Sequence, residues 1–201
     1  MIEVLAKAIH HTIKYNDYDI YIVKDNEGNE HVVLIRGEVE NRSDVLCRIS
    51  SECLPGTALF SAECDCQQQI EYSLDLINKE NRGVFIYLRQ EGRGHGLAMK
   101  IRALANKNKG MDTFQAVEQL GVPADVRKYN IVKEIVDYFQ IHSLCIICNN
   151  PDKINSIEQE GVAISGVVNI PIVPNEYSYR HLKAKLSKGH KINFVDGDSL
   201  R

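Results

Sequence analysis

The sequence predicts an α/β protein: a single layered domain over residues 1–201, with a mixed β-sheet flanked by helices. Three observations lead there. Two β-branched, alternating runs near the N-terminus are joined by a five-residue stretch with turn chemistry. From residue 83 onward, short apolar runs alternate with segments of helical spacing, the pattern of a layered α/β domain. The length of 201 residues and the 44% apolar content allow a sizeable core without disulfides or a structural metal. Within the domain we expect an N-terminal hairpin region over 1–44, a core over 45–172 and a C-terminal helical tail over 173–201.

The elements follow in order. Residues 19–24 (Asp-Ile-Tyr-Ile-Val-Lys) and 31–36 (His-Val-Val-Leu-Ile-Arg) flank Asp25-Asn-Glu-Gly-Asn29 and form a hairpin. Residues 45–50 form a further strand that leads into Cys53. After Cys66, the apolar residues Ile70, Leu74 and Ile77 recur at helical spacing, and Gly83 marks the end. Residues 83–88 (Gly-Val-Phe-Ile-Tyr-Leu) are a buried strand. A glycine-rich loop over 89–96 then opens a helix over 97–109, stopped by Gly110. In that helix Leu97, Ile101 and Leu104 read as one apolar stripe. Thr113 is placed to cap a short helix, and 130–140 forms another. A strand over 143–148, a helix over 152–160 and a strand over 162–170 complete the order. Functional residues are expected in loops at strand ends.

Composition excludes several classes. The formal net charge is −3 and no basic stripe stands out, so a nucleic-acid surface is not expected. Residues 1–10 lack the apolar core of a signal peptide, and no run approaches the ~18 apolar residues of a membrane span. The expectation is a cytoplasmic protein, in which six cysteines are reduced thiols available to a metal.

Three of them are clustered: Cys53, Cys64 and Cys66. Thiolates are good zinc ligands, and three of them leave one tetrahedral position for water, the pattern of a catalytic site. No further Cys or His offers itself nearby, the next being Cys47 upstream and His95 downstream. Packed thiols or a disulfide are the alternatives. Glu52, Glu63 and Asp65 flank the cysteines, and carboxylates are poor company for inert apolar thiols. Cys145 and Cys148 form a C-x-x-C but lie in an apolar run that reads as strand. Residues three apart on a strand face opposite ways, so these two read as packing residues.

The loop Arg89-Gln-Glu-Gly-Arg-Gly-His-Gly96 follows a strand and precedes a helix. Its glycines let backbone amides approach a ligand closely, and its arginines offer forked donors to phosphate oxygens. It lacks the Gly-Lys-Ser/Thr of a P-loop. An acidified zinc-bound water beside a polyphosphate loop points to hydrolysis of a nucleotide at its base, by attack on an electron-poor ring carbon.

Several motifs together resemble the GTP cyclohydrolase II family. They are Arg48-Ile-Ser-Ser-Glu-Cys53, Cys64-Asp-Cys66 with Gln69, Arg89-Gln-Glu-Gly-Arg93, Gly110-Met-Asp-Thr113, Gly121-Val-Pro-Ala-Asp-Val-Arg127 and Asn149-Asn-Pro-Asp-Lys153. The similarity spans roughly 45–172, with a looser match in the tail Lys183-Ala-Lys-Leu-Ser-Lys-Gly-His190. The resemblance implies that Cys53, Cys64 and Cys66 hold one zinc per chain. It implies that Glu91, Gly92 and Arg93 bind the triphosphate with Mg²⁺. Arg48, Ile49, Ser50, Ser51, Glu52, Gln69, Thr113, Cys148 and Lys153 would hold the nucleotide. The implied reaction opens the GTP imidazole ring at C8 and yields formate, pyrophosphate and a diaminopyrimidinone ribosyl monophosphate, at the head of riboflavin synthesis. The implied assembly is a homodimer. In the family pattern Arg127 is the nucleophile on the α-phosphorus and Asp125 the proton acceptor. A guanidinium stays protonated and is a poor nucleophile, so a clamp on developing phosphate charge, oriented by Asp125, is the reading chemistry favours.

The sequence departs from the family pattern at three positions. Leu104 stands where the family has Tyr, Ser50 where His is usual, and Cys148 where Thr precedes Asn-Asn-Pro. Leu104 can neither donate nor accept a hydrogen bond. Two alternatives follow: a homologue that stops at the formamidopyrimidine nucleotide, and a GTP-binding paralogue without turnover. Retention of the three thiols, Asp125 and Arg127 argues against the second.

Overall fold

Alternation builds the N-terminal sheet as expected, and one strand more. The structure, a computed structural model, describes residues 2–196. Strand β1 (Glu3–His10) precedes the hairpin of β2 (Tyr18–Lys24) and β3 (Glu30–Arg36). β2 and β3 pair antiparallel from Asp19↔Ile35 to Lys24↔Glu30. At the turn, the Asp25 carboxylate accepts bonds from the backbone N–H groups of Glu27 (2.9 Å) and Asn29 (2.8 Å). Val23, Val33 and Ile35 face the core from this pair.

Along the rest of the chain come β4 (Val45–Ser51), α1 (Leu54–Thr57), α2 (Cys66–Glu80), β5 (Gly83–Leu88) and a 3₁₀ turn (Glu91–Gly94). Then follow α3 (Leu97–Lys107), α4 (Gln115–Glu118), α5 (Asn130–Tyr138), β6 (Leu144–Ile147), α6 (Pro151–Gln159), β7 (Ile164–Val168) and β8 (Pro171–Ile172). α7 (Tyr179–Ser187) and β9 (Asn193–Phe194) close the described chain. Seven strands form one mixed sheet in the order β1-β2-β3-β5-β4-β6-β7. β1, β2, β3 and β5 pair antiparallel in succession, while β4, β6 and β7 are parallel to one another. The fold is thus the mixed α/β architecture expected.

The chain divides into two compact units, each assembled from three stretches of sequence. The first comprises the described residues up to Ser50, then Ile70–Arg89 and Tyr129–Ile170. Its core joins Val33, Val45, Ile86, Leu144 and Ile146 of the sheet to Ile131, Val132, Ile135 and Val136 of α5. Those four sit at helical spacing on one stripe. Each such burial contributes ~1.5–3 kcal/mol, against ~0–1 kcal/mol for a surface ion pair, so this core dominates the unit's stability. Gly83 is dictated by proximity: a Cβ there would lie 2.8 Å from the Leu46 carbonyl oxygen and 2.9 Å from Ile77 Cγ1. α6 is capped by Asn150, whose side-chain oxygen accepts from Asp152 N (3.0 Å) and Lys153 N (3.4 Å).

The second unit comprises Ser51–Gln69, Gln90–Lys128 and the described residues from Pro171 onward. It contains α1, the 3₁₀ turn, α3, α4, α7 and the short parallel pair of β8 and β9. Ala103, Ala116 and Val117 form its small apolar centre.

Three local expectations are corrected. The short helix α4 is preceded not by a Thr113 cap but by Asp112, whose carboxylate accepts from the N–H groups of Phe114 (2.7 Å) and Gln115 (2.9 Å). The tail is not wholly helical: α7 is flanked by the paired strands β8 and β9, and residues 197–201 lie outside the described residues. Leu97 and Ile101 do not form a buried stripe with Leu104. They are 41% and 47% exposed, because they lie on the opposite side of α3 from Ala103, which is buried. Among the described residues, no helix is long and apolar enough to cross a membrane.

Candidate metal and nucleotide site

The thiols of Cys53, Cys64 and Cys66 converge in the second unit. Cys53 follows β4, where Pro55 at the start of α1 turns the chain. Thr57 secures that turn by bonding the Cys53 carbonyl through both its backbone N–H (2.9 Å) and its hydroxyl (2.8 Å). Cys66 opens α2. The three sulfurs lie within 4.8 Å of one another, and Cys53 Sγ is 3.8 Å from Cys64 Sγ. A zinc tetrahedron with bonds of ~2.3 Å has edges of about 3.8 Å, so the donor set and its spacing fit that ion. The cradle is shaped to keep the sulfurs together: a Cβ on Gly56 would lie 2.4 Å from Cys64 Sγ and 3.0 Å from Cys53 Sγ. Among the described residues this is the only cluster of three or more Cys, His, Asp or Glu able to hold a metal.

The electrostatics favour a thiolate. Hydrogen bonds from Cys64 and Cys66 hold Cys53 far below the ordinary thiol range, helped by the charge of Lys100. The same sharing pushes Cys64 and Cys66 upward. Lys100 Nζ lies 3.3 Å from Cys53 Sγ and 3.4 Å from Glu91 Oε1. Burial pulls the Lys100 ammonium down, but Cys53, Cys66 and Glu91 together raise it above its usual value. Lys100 was not among the residues the sequence singled out. By contrast Cys47 is a packed thiol, pushed up to about 12 by burial. Cys145 lies on β6 and Cys148 just past its end, where Asn150 N–H donates to its sulfur at 3.3 Å.

The glycine-rich loop is kinked within Glu91–Gly94, where Gly92 and Arg93 both take left-handed backbone angles, φ +63° and +60°. Glu91 is buried and braces it: one oxygen accepts from Leu54 N–H at 2.6 Å, the other from Gly92 N–H at 2.8 Å. The carboxylate thereby joins the cysteine turn to the loop. The Arg93 guanidinium stacks over Phe114 at 4.4 Å and donates to the Ala124 carbonyl at 3.3 Å.

Cys53, Cys64, Gly92 and Arg93 line one open cavity. Lys100, Lys107, His95, Thr113, Leu104 and His181 also line it. Lys107 is paired with Glu63 at 2.7 Å. The cavity therefore brings Cys53 and Cys64 together with Arg93, Lys100 and Lys107, the last paired with Glu63 in the same wall, and with the apolar side chains of Met99, Leu104 and Val117; thiols at one end suit a metal-assisted reaction there.

Asp125 and Arg127 form a forked pair, with Arg127 Nε 2.8 Å from one carboxylate oxygen and Nη2 bonded to the other. Burial would raise the Asp125 carboxyl, but the Arg127 guanidinium overrides it and holds it below its usual value. Arg127 Nη1 also donates to Ser51 Oγ at 3.3 Å, and Gln90 reaches the same hydroxyl at 3.1 Å. The pair is not part of the cavity lining. Glu52 is half-buried beside Ser51. Gln69 donates to Asp65 at 2.5 Å.

The remaining sequence candidates belong to the first unit. Arg48, Ile49 and Ser50 are buried at the end of β4, and Arg48 donates to the Ile147 carbonyl at 2.9 Å. Lys153 donates to the Ile49 carbonyl at 3.1 Å and lies 5.4 Å over the Tyr129 ring. Cys148 is buried in the same unit.

Comparison with known proteins gives the family. The family described as GTP cyclohydrolase II matches residues 5–169. The GTP cyclohydrolase-2 of Picrophilus torridus is 40% identical over 191 residues, covering 94% of this chain and 99% of that protein. That of Neisseria meningitidis serogroup A is 42% identical over 164 residues (81% and 83%). That of Colwellia psychrerythraea is 37% identical over 175 residues (87% of each). With the thiol cluster intact and the similarity running through most of its length, this chain belongs to the GTP cyclohydrolase II family, a family of hydrolases.

Proposed function

We propose that the protein hydrolyses GTP at C8 of the guanine ring, in riboflavin synthesis. The products are formate, pyrophosphate and a diaminopyrimidinone ribosyl monophosphate. One observation carries this reading: two thiols of the metal-capable cluster, Cys53 and Cys64, and the glycine-arginine loop residues Gly92 and Arg93 line the same cavity. Cys53, Cys64 and Cys66 would hold the zinc, which when bound would supply Lewis-acid chemistry and acidify water toward neutral pH. The protein's own residues do the rest. Arg93 and the Gly92 turn receive the triphosphate and its Mg²⁺, with Glu91 bracing the turn. Lys100 offsets negative charge at the thiolates, and Lys107 offsets the Glu63 carboxylate in the cavity wall. Arg127, fixed by Asp125, stabilises charge developing on the α-phosphate as pyrophosphate leaves. Ser51, Glu52, Gln69 and Thr113 of the second unit contact the nucleotide. The proposed assembly is a cytoplasmic homodimer.

A second reading rests on Leu104, whose side chain lines the cavity with Cys53 and Cys64. An apolar group there gives no acid–base help to the second hydrolysis, which releases formate, and such help contributes ~10²–10⁴-fold. In this reading the reaction ends at the formamidopyrimidine nucleotide.

The metal assignment is tested with Cys66→Ser. Elemental analysis should give one zinc per wild-type chain and a marked loss in the variant, with GTP consumption abolished. Undiminished zinc in the variant would overturn the ligand set.

A further inference from the structure

Helix α7 delivers a side chain to the cavity. His181 lines it beside Thr113 and Cys64. The imidazole bridges two groups. Its Nδ1 is 2.6 Å from the Thr113 hydroxyl, and its Nε2 is 3.7 Å from Asp65 Oδ1. Asp65 is 1% exposed and stands between two of the three thiols in sequence. It also takes Lys185 Nζ at 2.5 Å on one oxygen and Gln69 Nε2 at 2.5 Å on the other. Two residues of α7, His181 and Lys185, therefore close on one buried carboxylate.

Burial, together with the charge of Lys185, pushes the His181 imidazole down to about 4 against the pull of Asp65, and Lys107 adds to the downward shift. A neutral imidazole has one N–H and one lone pair. A lone pair on Nε2 would be repelled by the Asp65 carboxylate, so Nε2 carries the proton and Nδ1 accepts. The Thr113 hydroxyl must then donate its only proton to Nδ1. What remains to Thr113 Oγ1 is its acceptor capacity.

We infer that His181 is a positioning residue that fixes the Thr113 hydroxyl as an obligate hydrogen-bond acceptor, so that this position selects a nucleotide presenting an N–H or O–H donor. The inference rests on the nucleotide reading of the cavity given above. A misplaced or rotating hydroxyl would serve donor and acceptor ligands equally; a fixed one leaves an acceptor-bearing ligand facing lone pair against lone pair, with both left unpaired.

The test uses zinc-loaded protein and 7-deaza-GTP, whose five-membered ring lacks N7 and resists opening, with binding read by calorimetry. Thr113→Val and His181→Ala should each weaken binding about tenfold, the effect of one lost hydrogen bond. The double variant should be no weaker than the worse single one, because both remove the same contact. His181→Asn, whose side-chain oxygen offers an acceptor near the place of Nδ1, should recover most of the loss, an outcome that a purely packing role would not give. Additive losses, or His181→Asn as weak as His181→Ala at unchanged melting temperature, would overturn the inference. Should His181→Ala fail to fold, the coupling of Thr113→Val with His181→Asn gives the same reading. The donor is identified with inosine, 2′-deoxy and 3′-deoxy triphosphates: the analogue that Thr113→Val no longer affects has lost the partner, and sensitivity of all three assigns the guanine N1–H. Wild-type protein that shows these couplings yet leaves GTP intact contradicts the proposed reaction alone. Additive variants in a protein that opens GTP contradict this inference alone.

Discussion

Gly56 shows how one residue determines whether the thiol cluster exists. It lies in α1, is buried, and faces all three cysteines. A methyl group at 2.4 Å from Cys64 Sγ is well inside van der Waals contact, so Gly56→Ala must displace at least one sulfur. Metal affinity responds to such displacements by about 10–100-fold. Competition with a chromophoric chelator should show zinc held that much more weakly by Gly56→Ala, with overall folding retained; equal retention by the two proteins would contradict the described cradle. Lys100 and His181 belong to the same scale. Neither carries a sequence signal of its own, since a lysine or a histidine in a polar helix is ordinary. Their significance comes from partners far along the chain: Cys53 is 47 residues from Lys100, and Thr113 is 68 from His181.

At the scale of the element, the β2–β3 turn is held by a carboxylate. Burial would raise Asp25, but bonds from the Asn29 side chain and backbone, from His31 and from Glu27 N–H bring it from 3.8 down to about 2. A carboxyl depressed on folding stabilises the folded state above its unfolded pKa, and that contribution is lost as pH falls through the folded value. Asp25→Asn should therefore cost on the order of 1–2 kcal/mol at pH 7. The gap to wild type should close between about pH 5 and pH 2, as read by chemical denaturation across that range. A gap independent of pH would show that the charge is not what holds the turn. This hairpin was legible in the sequence because buried positions alternate along β3 and both strands are β-branched runs on either side of a turn. β1 was not legible for the converse reason: nearly all of it is exposed, so its sequence carries no period of two. The strands 83–88 and 143–148 and the helix 130–140 were found to within a few residues, their apolar spacing being set by burial; the helix 97–109 was found as well, although Leu97 and Ile101 of its apolar stripe are exposed. The exchange of Thr113 for Asp112 at α4 is a case of two adjacent residues both able to cap, decided by the tertiary bond from Thr113 to His181.

At the scale of the whole molecule, each compact unit is drawn from three separate stretches. No continuous segment corresponds to either, which is why composition along the chain gave no sign of them. The candidate site was legible to a different degree. Thiols and a glycine-arginine loop announce their chemistry locally, whereas the brace from Glu91 to Leu54 N–H that joins them exists only after folding. The central claim is that this assembly opens the guanine ring. The most direct measurement is ¹³C NMR of [8-¹³C]GTP incubated with zinc-loaded protein and Mg²⁺. The account predicts that the C8 resonance disappears and the label is recovered as formate. Recovery of the label as a nucleotide formamide would select the reading that rests on Leu104. Label retained in an intact imidazole ring, by protein shown to carry one zinc per chain, would contradict the account.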